Sequence, residues 1–584
     1  MAEHEQAPSV LTSSLAKFNP FSKSKSDGED LGEKIDINSV GGGGHAGRKT
    51  QITCSELTVS HALKVFLVDN NVLSKADAGL DSSKPTPALQ QLVAKPHVNV
   101  PLNVTDRSHP LPEYFISSSH NTYLLAHQLY GTSSATAYET ALGTGSRCVE
   151  IDAWNGDENE DEPKVTHGYT LASNIPFRAV CETIRDVVDR EGQESTGERG
   201  HSAAPIMLSL ENHCDTHGQI RLVEIMKEVW GSRLLKEPVT TKGHNEQEGN
   251  ADHVTLDDLG SKIAVIVEYH SPEEAESEDE TPSSESEEER EARKKYKQRE
   301  KEAPKSGIIP ELAELGVYAQ SIKPSDRSWM EGELKNGPHH HLINVSETGL
   351  SPLIKGSATK ISLHNSQHLM RVYPKGTRIS SRNLNPVPFW GVGAQICALN
   401  WQTFDASMQL NEALFSGSDG YVLKPAALRA GGDGNLSTGR RKKLSLHVAG
   451  ATNLPVPEGR EADEIRPYVT CTLVHPGDLE GEPPKRKTAA YKQHKLGLLH
   501  RGENPLPNDP VWDETLEWEF DDNELTFLRI LIKSDDKFAR NPMFAVTAVR
   551  LSYVVQEWTF IRLLDLKGRE THSTLLVKFN LQDL

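Results

Sequence analysis

From Glu113 onward one pattern repeats: a short apolar run closes on a polar or charged residue, and a stretch of helical spacing follows. The runs are Tyr114-Phe115-Ile116, Cys148-Val149-Glu150-Ile151-Asp152, Ile206-Met207-Leu208-Ser209-Leu210-Glu211 and Ile263-Ala264-Val265-Ile266-Val267, with helical spacing in Phe177 to Val188 and Ile220 to Val229. This alternation predicts parallel strands covered by helices, as an open sheet or a closed barrel. The pattern stops at Ser271 and resumes with Thr359 to Leu363, Leu369 to Tyr373, Ile396 to Asn400 and Tyr421 to Lys424. The segment between is therefore read as a surface insertion within one domain. After Gly431-Gly432-Asp433-Gly434 the texture changes. Leu444 to Val448, Pro467 to Val474, Leu516 to Phe520, Leu528 to Ile532 and Thr574 to Phe579 alternate with period two between Gly, Pro and Asn turns, which predicts a separate antiparallel β-sandwich. Upstream, Leu57 to Leu67 and Pro87 to Val93 have helical spacing, the second entered through Thr86 as a cap.

Composition narrows the class. A chain of 584 residues exceeds one ordinary core, which agrees with several domains. A hydrophobic content of 36% and a mean hydropathy of -0.53 come with no apolar run near the ~20 residues that a spanning helix needs, so any membrane contact is expected to be peripheral. Met1 through Ser14 lack a basic start followed by an apolar run, and the expectation is a cytoplasmic protein. The six cysteines are scattered without metal-ligand spacing and read as reduced thiols. A net charge of -20 argues against nucleic-acid binding. Much of that charge is local: Glu273 to Glu291 is almost unbroken acid and serine, followed by the basic run Arg293 to Lys301.

The candidate chemistry sits at the strand ends. Glu150 and Asp152 are two apart on a strand and leave the same face, so they need a cation or a proton between them. Asn121 and Glu211 also end apolar runs, and in a parallel barrel such ends converge on one rim. One amide oxygen and three carboxylates without a thiol suit a hard ion such as Ca²⁺. His120 and His167 beside such a cluster suit acid and base work near neutral pH, and together these residue types point to a metal-assisted phosphodiesterase.

Longer motifs sharpen this. Ser117-Ser118-Ser119-His120-Asn121-Thr122-Tyr123-Leu124, Arg147-Cys148-Val149-Glu150-Ile151-Asp152, His167-Gly168-Tyr169-Thr170 and Ser209-Leu210-Glu211-Asn212-His213 resemble the X half of the eukaryotic phosphoinositide-specific phospholipase C barrel. Pro310-Glu311-Leu312, Arg371-Val372-Tyr373-Pro374-Lys375-Gly376, Gln395 through Thr403 and Gly420 through Pro425 resemble its Y half. The resemblance is to the short, delta-like form without a PH domain. It implies a tail (1–48), a helical region like a degenerate EF-hand (49–105), an X half-barrel (106–270), an acidic and basic linker (271–306), a Y half-barrel (307–432) and a C2 domain (438–584). The fold implied is a split TIM-like (β/α)8 barrel followed by an antiparallel β-sandwich. The activity implied is calcium-dependent cleavage of phosphoinositides to diacylglycerol and inositol phosphate through a cyclic phosphate, by a monomer that visits the inner face of the plasma membrane or other phosphoinositide membranes. Asn121, Glu150, Asp152 and Glu211 are then the Ca²⁺ ligands, with Glu150 or Glu211 as base. His120 stabilises charge on phosphorus, and His167 is the acid for the leaving oxygen. Ser346, Arg371 and Tyr373 line the inositol ring and its 4-phosphate. The alternative is a catalytically silent, phospholipase-like lipid-binding scaffold.

The sequence also departs from the family pattern. Ile266 and Glu268 stand where relatives that prefer the bisphosphorylated lipid carry lysines, which predicts a weakened preference for that lipid. Leu129, Tyr169 and Leu171 occupy rim positions that meet the membrane in the family, but Thr377 replaces a large apolar residue there. Arg466 stands at a C2 acidic position and Asp535-Asp536 retain only part of another, which predicts a calcium-independent C2 domain. His339-His340-His341 reads as a flexible polar loop, Asp157 to Glu162 as a solvated one, and Ser277, Ser283, Ser284 and Ser286 as candidate phosphorylation sites in a linker able to cover the active-site mouth.

Overall fold

The computed structural model describes residues 52–82, 84–125, 133–168, 173–194, 203–239, 253–269, 307–324, 326–331, 334, 337–375, 383–457, 459–479, 481–494, 503–535 and 543–584. The expected tail 1–48, the linker 271–306 with its four serines, Leu129, Tyr169, Leu171, Thr377 and Asp536 lie outside the described residues.

Eight parallel strands form a closed barrel: β1 (Tyr114–His120), β2 (Cys148–Trp154), β3 (Ile206–Asn212), β4 (Ile263–Glu268), β5 (Gln320–Ile322), β6 (His341–Ser346), β7 (Leu369–Tyr373) and β8 (Ile396–Asn400). Each pairs with the next in order, and β1 closes the ring by pairing with both β2 and β8. One alternation builds both faces. Outward residues Val149, Ile151, Leu208, Leu210, Val265 and Val267 join Phe177, Val180, Ile184 and Val187 of the helix Phe177–Glu194 in a single buried cluster. The helix spacing of three and four residues is what turns that stripe onto the sheet. Inward residues Ile116, Cys148, Met207, Ala264, Leu342, Leu369 and Ile396 fill the lower barrel. Burying each large aliphatic side chain in these clusters contributes about 1.5–3 kcal/mol. Continued upward, the same period carries Glu150, Asp152, Glu211, Asn344 and Arg371 to the C-terminal rim.

Two expected barrel strands lie elsewhere. Thr359 to Leu363 falls inside the helix Glu347–Asn365, whose buried Leu350, Ile354, Ile361 and Asn365 follow helical spacing; a five-residue segment with two apolar residues does not distinguish the two periods. Tyr421–Leu423 pairs antiparallel with β1, outside the ring. Their places are taken by β5, three residues long and largely polar, and by β6, which begins inside the histidine tract.

That tract is not a loop throughout. His341 opens β6 with only 6% of its surface exposed, stacks on His368 at 3.9 Å between ring centroids, and lies 2.9 Å from His364 between Nε2 atoms. The Asn365 amide oxygen accepts from His364 Nδ1 at 2.9 Å. Burial pushes these imidazoles down, His341 to about 4 and His364 to about 3 from an ordinary 6.5. Below 6.5 the unfolded chain takes up protons that the folded stack refuses. Stability is therefore expected to be level above neutrality and to fall as pH drops from about 6.5 to about 5, by on the order of 2 kcal/mol for each of these two histidines. Denaturant midpoints near both ends of that window measure it, and His364→Gln should flatten the slope.

The C-terminal domain is an eight-stranded antiparallel sheet in the order Lys485–Lys487, Pro467–Val474, Phe527–Ser534, Met543–Arg550, Trp558–Leu564, Glu570–Asp583, Arg441–Thr452, Val511–Asp521. All five expected segments are strands. Lys485–Lys487, fully exposed, and the almost uniformly apolar Met543–Arg550 and Trp558–Leu564 carry no clean alternation and escape that reading. A continuous core joins this domain to the barrel: Trp390, Met408 and Phe415 pack with Val474, Leu525, Phe527, Leu531 and Val546, and Arg529 Nε donates to Gln409 Oε1 at 2.6 Å. The N-terminal helices His61–Asp69 and Pro87–Ala94 pack Leu63, Phe66, Leu67, Leu89 and Val93 on Ala449, Phe560 and Leu576 of the same domain. Thr86 caps the second helix, accepting from Leu89 N at 3.2 Å.

Candidate active site

The site begins where β1 ends. After His120 the chain turns through Asn121, whose φ of +46° is left-handed without being glycine. Such a residue costs roughly 1–2 kcal/mol and persists where its surroundings hold it. Here Asn121 N donates to Glu150 Oε2 at 2.7 Å, and the Tyr123 hydroxyl lies 2.6 Å from Asp152 Oδ2 and 3.1 Å from Asn121 Oδ1. Glu150 and Asp152 share the inward face of β2, and Asp152 is the register partner of Glu211 on β3. The three carboxylates each present an oxygen within 4.8 Å of the others.

Arg371 forms the floor. It is 1% exposed, donates to Glu150 Oε1 and to Asn344 Oδ1 at 3.1 Å, and approaches Glu211 to 3.9 Å. Burial lifts Glu150 to about 7 and Asp152 well above the carboxylate range, with Arg371 opposing both. Burial would lift Glu211 too, but Arg371 and Lys323 outweigh it and hold that carboxyl at about 2. One guanidinium does not neutralise three carboxylates, two of them buried and Glu211 partly exposed, and Asp152 Oδ1 is buried without a hydrogen-bond partner among the described residues. The donor set is all oxygen, with the Asn121 amide beside it. These residues fit a hard divalent cation such as calcium and not a thiophilic one.

The histidines stand over this floor. His120 Nδ1 lies 2.9 Å from Asn400 Oδ1, and Asn400 is its register partner on β8. Donation to that oxygen leaves Nε2 for the mouth. Burial and the nearby Arg371 charge pull the His120 imidazole down to about 4, and His167 is close enough to add to the effect. His167 follows the short strand Lys164–Val165, which pairs antiparallel with the end of β2. Its neighbour Gly168 is packed so tightly on Trp154 that a Cβ there would come within 1.8 Å of the ring, and Trp154 in turn stacks on His213 at 4.1 Å. Glycine at 168 is what lets the His167 segment lie against the rim. On the opposite side Tyr373 has the Arg371 guanidinium 5.6 Å from its ring centroid. Ser346 caps the helix Glu347–Asn365, accepting from Gly349 N at 3.1 Å.

The family models for phosphatidylinositol-specific phospholipase C match this chain with the X domain at residues 107–269 and the Y domain at 312–427. The chain belongs to the phosphatidylinositol-specific phospholipase C family. A C2-domain model matches residues 442–563. The chain is 32% identical over 547 residues to 1-phosphatidylinositol 4,5-bisphosphate phosphodiesterase 1 of Candida albicans, across 80% of this chain and 47% of that protein. It is 31% identical to the human delta-1 phosphodiesterase of the same name, across 82% of this chain and 61% of that one. It thus spans about half to three-fifths of the length of these curated relatives. A crystal structure of L. pealei PLC21 superposes with a TM-score of 0.66 at 26% identity, across 83% of this chain and 58% of that one.

The phospholipase C barrel thus gathers Asn121, Glu150, Asp152, Glu211, Arg371, His120 and His167 at one mouth. It also gathers residues that pattern reading passes over: Tyr123, Asn344 and Asn400. Asn400 alone carried a signal, since it closes an apolar run as Asn121 and Glu211 do. No helix of the described residues is long and apolar enough to cross a membrane.

Proposed function

We propose that this chain is a calcium-dependent phosphoinositide-specific phospholipase C that cleaves phosphatidylinositol and its phosphorylated forms, the 4,5-bisphosphate included, at a membrane surface. The observation that carries this is one mouth holding two histidines over three converging carboxylates and one amide oxygen. Asn121, Glu150, Asp152 and Glu211 would hold Ca²⁺, which when bound lowers the pKa of the inositol 2-hydroxyl. Glu150 or Glu211 takes the proton of that hydroxyl, whose oxygen attacks the 1-phosphate. His120, anchored through Nδ1 by Asn400, turns Nε2 to the phosphoryl oxygens; the anionic phosphate favours the imidazolium that burial disfavours in its absence, and Nε2–H then donates to the charge that builds there. His167 gives its proton to the departing diacylglycerol oxygen as the phosphorus–oxygen bond breaks, then accepts a proton from the water that opens the cyclic phosphate. Ser346, Arg371 and Tyr373 line the inositol side, with Arg371 also fixing Glu150. The all-β C-terminal domain, calcium-independent in this reading, carries the barrel to the lipid surface.

Mixed micelles of phosphatidylinositol with detergent test this. The expected result is release of diacylglycerol and cyclic inositol phosphate that requires added calcium, stops with a chelator, and is lost in Asp152→Asn. Lipid binding with no turnover at saturating calcium would establish the silent scaffold instead.

A further inference from the structure

We infer that Lys323, just beyond β5, is the residue that reads phosphate groups on the inositol ring and so sets headgroup preference; this rests on the phospholipase reading above. The barrel fixes where such a group must come from. At the end of β4 the inward positions are Ile266 and Glu268. Ile266 is packed with Met207 and Ala264 in the barrel interior, and Glu268 is a carboxylate that accepts from Asn212 N at 3.4 Å. Neither attracts phosphate. The register pairs Glu268 with Ser321 and Ser321 with Leu342, so the inward series of β5 runs Ala319, Ser321, Lys323. Ala319 lies in the interior cluster with Ala264 and Leu342, which fixes the face.

One residue past the last paired row, Lys323 stands opposite Asn344, whose own partner across the next strand is Arg371. The ammonium is therefore placed over the floor of the site from the side that β4 leaves without a cation. It is solvent-exposed, and its charge reaches both Glu211 and His213. Arg371, the other cation of the inward series, is buried and committed to Glu150 and Asn344. A compact ammonium on a flexible stem is suited to a phosphate monoester dianion as a point charge. Phosphatidylinositol, lacking that dianion, gives it nothing to bind.

The test compares the full-length protein with Lys323→Ala and Lys323→Arg on mixed micelles of phosphatidylinositol, its 4-phosphate or its 4,5-bisphosphate. Phosphatidylserine holds the total surface charge equal, so a headgroup contact is separated from general attraction to anionic lipid. Lys323→Ala should lose about tenfold in kcat/KM on the bisphosphate, a loss typical of one charged contact, and stay within about twofold on phosphatidylinositol, where Arg371, the stronger of the two charges on Glu211, still keeps that carboxyl ionised. Lys323→Arg should retain most of the preference. An equal fall on all three lipids would assign Lys323 to tuning Glu211, and no fall on any would remove it from the site; either overturns the inference while leaving the phospholipase reading intact. A wild-type protein inert on every headgroup overturns both.

Discussion

Replacing His167 by alanine is expected to lower turnover of phosphatidylinositol by about 10²–10⁴-fold while leaving lipid binding and folding unchanged. The side chain is partly exposed on a short segment beside the rim, so its removal opens no cavity in the barrel core. Its task in the proposed reaction is a single proton given to a poor leaving group, an alkoxide of high pKa. That task makes the effect depend on the substrate. A soluble inositol phosphodiester with a nitrophenolate leaving group needs no such proton, and on it the same variant should lose far less in the cleavage step. Steady-state rates on the two substrates measure the difference. An equal loss on both would remove His167 from the acid role and leave it a binding or positioning group.

The second large effect is expected at Arg371. Arg371→Ala leaves Glu150 buried beside Asp152 and Glu211 with its guanidinium partner gone, and breaking a buried pair from one side costs about 3–5 kcal/mol. Denaturant unfolding should show that loss, with activity falling alongside it because Glu150 is no longer fixed. Two further measurements separate the electrostatic cause from simple loss of packing. Glu150→Gln in the same chain removes the orphaned charge and should recover part of the stability. Calcium should also stabilise Arg371→Ala more than it stabilises the wild type, because the cluster then lacks the buried cation that pairs with Glu150. A double variant no more stable than Arg371→Ala, with equal calcium effects on both proteins, would show that the pair does not govern the site.

The chemistry was more legible in the chain than the barrel that holds it. Glu150 and Asp152 announce themselves because a strand's period of two is visible in seven residues, with Val149 and Ile151 marking the opposite face. The same period reveals β1 to β4, β7 and β8. It fails at β5, where three residues offer no period at all, and at β6, where three successive histidines look solvated until a buried stack is built around His341. Thr359 to Leu363 misleads in the other direction: Ile361 and Leu363 alternate with Lys360 and Ser362 as on a strand, a pattern too short to exclude a helix. Asn344, Asn400 and Tyr123 were hidden for a different reason. A polar residue that orients another polar residue leaves no mark in its own neighbourhood of sequence; its partner comes from a strand on the other side of the ring. Lys323 is of the same kind, an ordinary exposed lysine until the pairing of β4 with β5 and of β5 with β6 puts it over the mouth.

The seam between barrel and C-terminal domain bears on how this molecule would meet a lipid surface. Trp390, Phe415, Phe527 and Val546 are packed as in the interior of one domain, so the two bodies have no joint to bend. The mouth is then aimed as the blade of a plane is aimed, by its stock. Whatever presses the sheet domain toward the bilayer also chooses the angle at which a headgroup enters. In the proposed reaction, a patch of charge on that domain, far from the carboxylates, would then act on catalytic rate through orientation alone.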